Sequence, residues 1–510
     1  MEEEKEKTFK INWYVVALIL ILVFAFAVRF YFFSLYKNQP VWWDESEHLV
    51  MAKHIAFGTP LTGWNATREI IVPLIFAFFF KLFHSEVAVR FSQLLFSMGI
   101  VFMTYLVGKE IFNKKIGLIA AFLMSVFYLN LFFTLRLGLE IIGPFFSLLT
   151  VYYFWKGYIK KEKQKIFIPL MAVFGVLAFM TNAKEGLLLI SLFLFLLFTD
   201  KFKFLKNKHL WLAILIGLIV LAPYMLYYYH TVGHPLPRLM TQTASVQARL
   251  SEGGWNWNNF FSFPKFFTVY LQWPFFIIFL IGLFFILISL SLGFDLMLKE
   301  QAKKNSKYLF LILWAALPLI TFSYFLGQSP GAYMEPRFML EIFPAVFLIT
   351  SNGFLKIYDW LKSYGKITAL IVIILILFTG TFYQLRFGNI TIKSKATSYL
   401  QVKEAALWMK ENSQGDDWII SASVPQTTYY SERSVQGVGM SMNETEFNKI
   451  IQKLKPKFMT ISAFEPHPKW YYEWPQKHTN SVKVVQAYTT QQNGQQKPLL
   501  VIYEFLNYDF

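Results

Sequence analysis

The residues best suited to chemistry follow the first long apolar segment of the chain, which covers residues 13–35. They are the ionisable members of one short run: Val41-Trp42-Trp43-Asp44-Glu45-Ser46-Glu47-His48. Tryptophan suits the boundary between membrane and water, whereas carboxylates beside a spanning segment need either solvent or a function. A second isolated acid, Glu140, follows the third apolar segment. The run is therefore either a solvated loop or part of a reaction centre at a membrane surface.

Composition places the chain among polytopic α-helical membrane proteins. Hydrophobic residues make up 55% of it and the mean hydropathy is +0.42. The chain has no cysteine, which excludes disulfides, thiolate catalysis and zinc–thiolate sites. Runs of roughly 20 apolar residues, enough to cross a bilayer core, recur along the chain. We predict about eleven transmembrane helices, near residues 13–35, 92–108, 116–133, 141–155, 166–181, 186–199, 210–229, 273–292, 308–326, 338–355 and 366–385.

The apolar run from Ile70 to Phe83 decides the topology. It is too short to cross comfortably, so we interpret it as an interfacial or re-entrant helix. The lysine clusters between later spans then share one side, which the positive-inside tendency makes cytoplasmic. The charge of +17 therefore reflects topology and does not indicate nucleic-acid binding. The outer side receives Asp44, Glu45, Glu140, Lys184, Arg337 and the whole tail after Phe387.

The tail differs from the rest, since the chain turns polar from about Lys393. Periodicity predicts helices at residues 397–411 and 443–455, with strands at 417–423, 457–462, 482–488 and 499–505. Such alternation is typical of a small α/β domain. We therefore divide the chain into a membrane domain, residues 1–388, and an extracytoplasmic α/β domain, residues 389–510. The membrane domain carries two long outer loops, residues 36–91 and 230–272.

Several short segments together resemble the multi-spanning glycosyltransferases of the GT-C type. They are Asp44-Glu45, Pro73-Leu74, Lys81-Leu82-Phe83-His84, Val89-Arg90-Phe91 and Glu140 after Arg136. The resemblance covers about residues 10–360 and is nearest to the protein O-mannosyltransferases and the lipid A aminoarabinose transferases. Its specificity comes from the order and topology of the segments together. The tail segment Tyr429-Tyr430-Ser431-Glu432-Arg433 is similar to archaeal members.

The resemblance implies an inverting glycosyltransferase. Its donor would be a monosaccharide on a polyprenyl or dolichyl phosphate, and its acceptor a hydroxyl at the outer face of the cell membrane. By the same resemblance Asp44 is the catalytic base, with Glu45 beside it. A glycosyl phosphate already has a good leaving group, so one carboxylate and a few cations suffice. The donor sugar stays open, and the acceptor is a protein, a glycan or a lipid.

Three cations are candidates for binding the donor phosphate: Arg68, Lys184 and Arg337. Arg337 lies in Glu335-Pro336-Arg337-Phe338, which resembles a family segment at the outer end of a late span. A guanidinium binds phosphate in bidentate fashion, but an arginine at a helix end is also a common interface anchor. For Lys184 the alternative is a local ion pair with Glu185.

Glu140 has two interpretations. Some relatives, notably oligosaccharyl transferases, bind a divalent cation with acids of both outer loops, whereas the mannosyltransferases work without one. Asp44, Glu45 and Glu140 would form a sparse cage for Mg²⁺ or Mn²⁺, completed by water or phosphate. The alternative is that no cofactor is required and Glu140 pairs with Arg136, one helical turn away.

Other features leave further alternatives. A transporter or flippase of lipid-linked or small polar substrates would fit the composition equally, although the ionisable groups cluster at one surface and we find no inverted repeat. His48 and His54 fit the surface of an interfacial helix better than a metal site. The segment Trp470-Tyr471-Tyr472-Glu473-Trp474 either stacks on sugar rings or covers the membrane domain.

Overall fold

A computed structural model describes residues 12–241, 254–297, 305–328, 334–492 and 495–508. The chain divides into two compact units. The first comprises residues 1–35, 93–135 and 139–391, and the second comprises residues 36–92, 136–138 and 392–510. The predicted tail boundary at residue 389 thus lies close to the last segment of the second unit. That unit also contains residues 36–92, which the sequence analysis assigned to an outer loop. Part of the other predicted loop, residues 242–253, lies outside the described residues.

The protein is predominantly helical. In chain order the helices are α1 (Trp13–Tyr36), α2 (Trp43–Phe57), α3 (Ile71–Phe83), α4 (Glu86–Ile111), α5 (Lys114–Val126), α6 (Tyr128–Thr134), α7 (Ile142–Phe154), α8 (Gln164–Thr181), α9 (Gly186–Asp200), α10 (Lys208–Val232), α11 (Trp257–Phe260), α12 (Ser262–Met297), α13 (Ser306–Gly327), α14 (Phe343–Leu361), α15 (Lys366–Lys395), α16 (Leu400–Glu411), α17 (Val424–Ser431), α18 (Glu444–Leu454) and α19 (Lys469–Lys477). Every predicted span coincides with a helix.

Length and apolarity qualify eight helices of the described chain as membrane spans, or nine if the bent pair α5–α6 counts as one. The protein is therefore a multi-pass membrane protein. The expected number was about eleven, and the difference falls on α7 and α9. These helices have 13 and 15 residues, less than the roughly 20 that a bilayer core requires. Helix α3, with 13 residues, is equally short, as the topology assumed.

A buried arginine stabilises the bend in the first unit. Helices α5 and α6 meet at an angle of 57°, because Phe127 between them has extended backbone angles. The bend deprives the last carbonyls of α5 of helical partners. Arg29 of α1, only 1% exposed, donates to the carbonyl oxygens of Ser125 at 2.9 Å and Met124 at 3.4 Å. It also donates to Asn130 Oδ1 at 2.6 Å. This intramembrane charge therefore supplies hydrogen bonds to backbone carbonyl groups that the bend leaves without helical partners.

We expect Arg29→Met to lower the thermal unfolding temperature of the purified protein. The change leaves several buried oxygens without their donor, and each costs about 1–3 kcal/mol. Arg386→Met is the matched control, because Arg386 lies exposed on the long helix α15. Equal unfolding temperatures for the two variants would show that the carbonyls find other donors.

The second unit contains the predicted α/β domain. Its strands are β1 (Trp418–Ile420), β2 (Ser434–Gln436), β3 (Phe458–Ser462), β4 (Val482–Gln492) and β5 (Gln495–Phe505). They form one sheet in the order β2-β1-β3-β5-β4. Strand β1 runs parallel to β2 and β3, whereas β5 runs antiparallel to β3 and β4. All four predicted strands and both predicted helices are present. Helices α17 and α19 and the three-residue strand β2 were not predicted.

Aromatic side chains of α19 form much of the core of this domain. Tyr471 and Trp474 are fully buried and pack against Phe447 of α18 at ring distances of 5.3 and 5.4 Å. The Trp474 indole donates to Asn448 at 3.0 Å. These two rings are therefore not available for stacking on sugar rings, whereas covering of the membrane domain by the segment stays a prediction. Their burial follows from the amphipathic pattern of α19, which aligns them on one face.

Candidate active site

The acidic run lies in the first turn of α2. The helix begins after Trp42, whose backbone N–H donates to the Glu45 carboxylate at 2.7 Å. Acids suit this position because the N-terminal end of a helix carries partial positive charge. The helix ends at Gly58, whose φ of 74° closes the last turn in the left-handed region. Local chemistry thus fixes both ends of the element that holds Asp44.

Asp44 and Glu47 share one arginine. Arg68 Nη2 donates to Asp44 Oδ1 at 2.5 Å, and its Nε donates to Glu47 Oε2. The other Glu47 oxygen accepts the Trp43 indole N–H at 3.1 Å. The side chain of Glu47 is 7% exposed, whereas that of Asp44 is 38% exposed. Asp44 is thus a solvent-accessible carboxylate whose orientation is set by a half-buried guanidinium.

Burial and charge act in opposite directions on this cluster. Burial raises the pKa of Glu47, and the neighbouring Asp44 carboxylate adds to the rise, while Arg68 opposes it. Burial disfavours the charged form of Arg68, but the carboxylates of Asp44, Glu47 and Glu69 outweigh that penalty and raise its pKa. Arg68 therefore stays charged, and it forms an ion pair with the Asp44 carboxylate.

Glu45 has a different environment from Asp44. Arg136 Nη2 donates to Glu45 Oε2 at 2.7 Å, and Nε lies 2.6 Å from Oε1. The Leu137 backbone N–H donates to Oε1 at 3.0 Å. The Arg136 guanidinium also stacks on the Trp42 ring, 3.8 Å from its centre. Both oxygens of this buried carboxylate are thus engaged, which favours a positioning role over proton transfer.

We expect Glu45→Gln to destabilise the protein by about 3–5 kcal/mol, because it leaves the buried charge of Arg136 uncompensated. A marked fall in the thermal unfolding temperature would report this. The control is Glu504→Gln, which breaks a pair with Lys483 whose lysine side chain is 54% exposed and should cost at most about 1 kcal/mol. Similar losses in the two variants would contradict the role of Glu45.

The first unit holds the other predicted groups. Arg337 Nη1 lies 3.2 Å from Glu140 Oε1, and its Nε lies 2.5 Å from Glu335. Lys184 Nζ donates to the Arg337 carbonyl oxygen at 3.1 Å and lies 3.2 Å from Glu341 Oε2. The structure therefore brings Lys184, Arg337 and Glu140 into one cluster. The sequence analysis offered a pair of Arg136 with Glu140. Instead, Glu140 pairs with Arg337, and Arg136 pairs with Glu45.

Glu185 is buried beside this cluster. The Ser147 hydroxyl donates to Glu185 Oε2 at 2.6 Å, and burial raises the pKa of Glu185, with the Lys184 charge opposing the rise. A Cβ added at Gly143 would come within 2.9 Å of the carboxylate, so a larger residue there would displace the Glu185 side chain. The ammonium of Lys184 is directed to Glu341, which the sequence analysis did not consider. Glu341 lies in an apolar segment whose pattern gives no sign of its partner.

The described residues contain no group of three or more His, Asp or Glu side chains arranged to hold a metal ion. The pairing of the candidate ligands gives the physical reason. Glu45 is saturated by Arg136 and by backbone N–H groups, while Asp44 accepts from Arg68 and Glu140 pairs with Arg337. These donors do not fit a cation cage, and the divalent cation stays a prediction.

The two histidines differ in their surroundings. His48 was expected on the surface but is 1% exposed, because α2 packs against α3 on one side and α17 on another. His54 is exposed, with Nδ1 2.7 Å from the Thr59 carbonyl oxygen, as expected. Periodicity alone therefore misassigned one face of α2. Glu47 was also missed as a partner of Arg68, since residues 21 positions apart give no pattern in sequence.

Comparisons with known proteins agree with this architecture. The family model described as dolichyl-phosphate-mannose-protein mannosyltransferase matches residues 68–227. The oligosaccharyltransferase of Archaeoglobus fulgidus in its apo form has a TM-score of 0.63 at 12% identity, covering 97% of this chain and 75% of its own. ArnT from Cupriavidus metallidurans bound to undecaprenyl phosphate has a TM-score of 0.63 at 12% identity, covering 96% of this chain and 98% of its own. The chain has the GT-C glycosyltransferase fold.

The GT-C fold confirms the resemblance drawn from the sequence segments. The family match lies within the first half of the chain and begins at Arg68, within the second unit. The A. fulgidus oligosaccharyltransferase has also been seen with an inhibitory peptide and a dolichol-phosphate, again at 12% identity and a TM-score of 0.62. No curated protein sequence matches the chain significantly. At these identities the solved structures establish the fold, and the chemistry must be argued from the residues.

Proposed function

We propose that the protein is an inverting glycosyltransferase that moves a monosaccharide from a polyprenyl or dolichyl phosphate to an acceptor hydroxyl. The observation that carries the proposal is the state of Asp44. Its side chain is 38% exposed, whereas those of Glu45 and Glu47 are 5% and 7% exposed. A reacting carboxylate must be reachable by substrate, and in this acidic run Asp44 meets that condition best.

Asp44 acts as the general base. Its carboxylate takes the proton of the acceptor hydroxyl while the hydroxyl oxygen attacks the anomeric carbon of the donor. The bond from that carbon to the phosphate oxygen breaks, and the lipid phosphate leaves with the bonding electrons. Attack from the face opposite the phosphate inverts the anomeric configuration. Arg68 orients Asp44, and its hydrogen bonds to Asp44 and Glu47 make it a positioning residue.

Arg337 is the better of the two phosphate candidates in the first unit. Its side chain is 27% exposed, whereas that of Lys184 is 8% exposed and faces Glu341. A guanidinium also presents two parallel donors to a phosphate. We assign Arg337 to the leaving phosphate, with Lys184 holding the Arg337 carbonyl in place. Arg68 is less suited to the phosphate, because two carboxylates already share it.

The comparisons support the donor class. One similar structure holds undecaprenyl phosphate and another a dolichol-phosphate, and the matching family is described by a dolichyl-phosphate sugar donor. We place the reaction at the outer face of the cell membrane, since the lysine-rich connections between spans define the cytoplasmic side. The acceptor is a hydroxyl of a protein, a glycan or a lipid.

The test is transfer of labelled sugar from a panel of dolichyl- and polyprenyl-phosphate monosaccharides by the purified protein. We expect Asp44→Asn to lower the turnover by about 10²–10⁴-fold, the range contributed by a general base, without changing the thermal unfolding temperature. Glu473→Gln is the control, because Glu473 is a 65% exposed acid of the second unit. Full activity of the Asp44→Asn variant would show that Asp44 is not the general base.

Two further outcomes separate the alternatives. Turnover that survives a chelator supports the metal-free mechanism, whereas complete loss that Mg²⁺ or Mn²⁺ reverses supports the divalent cation. Lipid-linked substrate that crosses a vesicle membrane without transfer or hydrolysis would indicate a transporter and overturn the proposal.

A further inference from the structure

The second unit contains a cavity that the proposed reaction does not use. Its volume is about 280 Å³. The charged side chains that line it are Lys53 of α2, Glu86 of α4, Lys403 and Lys410 of α16, and Glu432, which follows α17. Several aromatic rings complete the lining. The cavity lies towards the C-terminal half of α2, whereas Asp44 lies in its first turn.

The motif singled out in the tail, Tyr429 to Arg433, forms one wall of this cavity. Tyr429 and Tyr430 line it, and the Tyr429 hydroxyl donates to Glu86 Oε2 at 2.8 Å. Arg433 points to α16 instead, where its Nη2 donates to the Ser413 and Lys410 carbonyl oxygens at 2.9 and 3.1 Å. The arginine thus fixes the end of the helix that carries two of the lysines.

The charges of the cavity do not balance. The charge of Glu86 is neutralised by an arginine and not by the lysines. Arg90 Nε and Nη2 donate to Glu86 Oε1 at 2.9 and 2.7 Å. Glu432 alone then faces three ammonium groups, and it lies 2.7 Å from Lys53 Nζ and 2.6 Å from Lys410 Nζ. The lining itself carries three ammonium groups and two carboxylates, and with Arg90 included the group has a surplus of two positive charges. His84 also lines the cavity and adds positive charge when it is protonated.

Within the described residues, Lys403 is the lining lysine that forms no ion pair with a carboxylate, although Glu86 and Glu404 act on it at longer range. Its ammonium donates to the Asn38 carbonyl oxygen at 2.7 Å and lies 5.4 Å from the centre of the Tyr430 ring. Burial lowers the pKa of both Lys53 and Lys403, although the glutamates oppose the shift. Because these two lysines are already partly desolvated, an added anion would gain favourable charge interactions with them at little further desolvation cost to the lysines.

We propose that this cavity binds a phosphate group that carries an organic substituent. A phosphate monoester has a charge of about −1.5 to −2 at neutral pH, which matches the surplus of two. Lysine ammonium groups approach such a phosphate as point charges from several directions. Phe57, Phe80 and Leu407 supply an apolar part of the lining for the substituent. A lipid headgroup and a free phosphate ester share this chemistry.

The first arm of the test measures binding of inorganic phosphate to the full-length protein in detergent, by calorimetry at low ionic strength. We expect Lys403→Gln to raise the dissociation constant about tenfold, which corresponds to one lost charge contact. Lys449→Gln, which removes an exposed lysine of α18, should change nothing. Glu432→Gln should tighten binding several-fold because it removes the carboxylate that pairs with Lys53 and Lys410. A misfolded protein would not bind phosphate more tightly. Glu432→Gln therefore distinguishes an effect of charge from an effect of misfolding.

The second arm compares nanodiscs that contain phosphatidic acid with nanodiscs of phosphatidylcholine alone. Phosphatidic acid that displaces inorganic phosphate from the wild type but not from Lys403→Gln would identify a lipid headgroup as the source. Displacement by glycerol 3-phosphate alone would identify a free ester. Equal phosphate affinities in the wild type, Lys403→Gln and Glu432→Gln, or no binding in either arm, would overturn the proposal. None of these outcomes depends on sugar transfer.

Discussion

The buried pair of Glu45 and Arg136 is the contact on which the candidate site depends. A carboxylate at 5% exposure is tolerable only with full compensation, and Glu45 obtains it from Arg136 and from the backbone N–H groups of Trp42 and Leu137. These contacts fix the first turn of α2. Asp44, the preceding residue, is thereby held with its side chain partly open to solvent. The buried contacts of Glu45 therefore fix the position of Asp44.

The same constraint recurs elsewhere in each unit. Arg29 is buried among spans because the bend after α5 leaves carbonyl oxygens that need a donor. In the first unit Lys184 faces Glu341, and Arg337 faces Glu140. These buried charges therefore each have a polar partner, which is what a low-dielectric interior requires. The cavity beside Glu432 departs from that balance, because ammonium groups outnumber carboxylates in its lining.

Sequence reasoning succeeded where the information was local. The apolar segments predicted the helices, and alternation in the tail predicted four strands and two helices, because hydrophobic periodicity directly reflects which face is buried. It failed where the element was short or its exposure depended on neighbours. Helix α17 and strand β2 have 8 and 3 residues, too few for a periodic signal. His48 was misplaced because α2 is covered on more than one side.

The sequence by itself determined the membrane class, the helical and α/β parts, and the acidic run that follows the first span, since these follow from composition and local spacing. Only the tertiary structure decided which acid stays accessible and which are paired. Glu45 meets Arg136, and Lys184 meets Glu341, across 91 and 157 positions of the chain. Such partners are selected by packing of distant segments under the penalty for burying charge, and no local pattern records that choice.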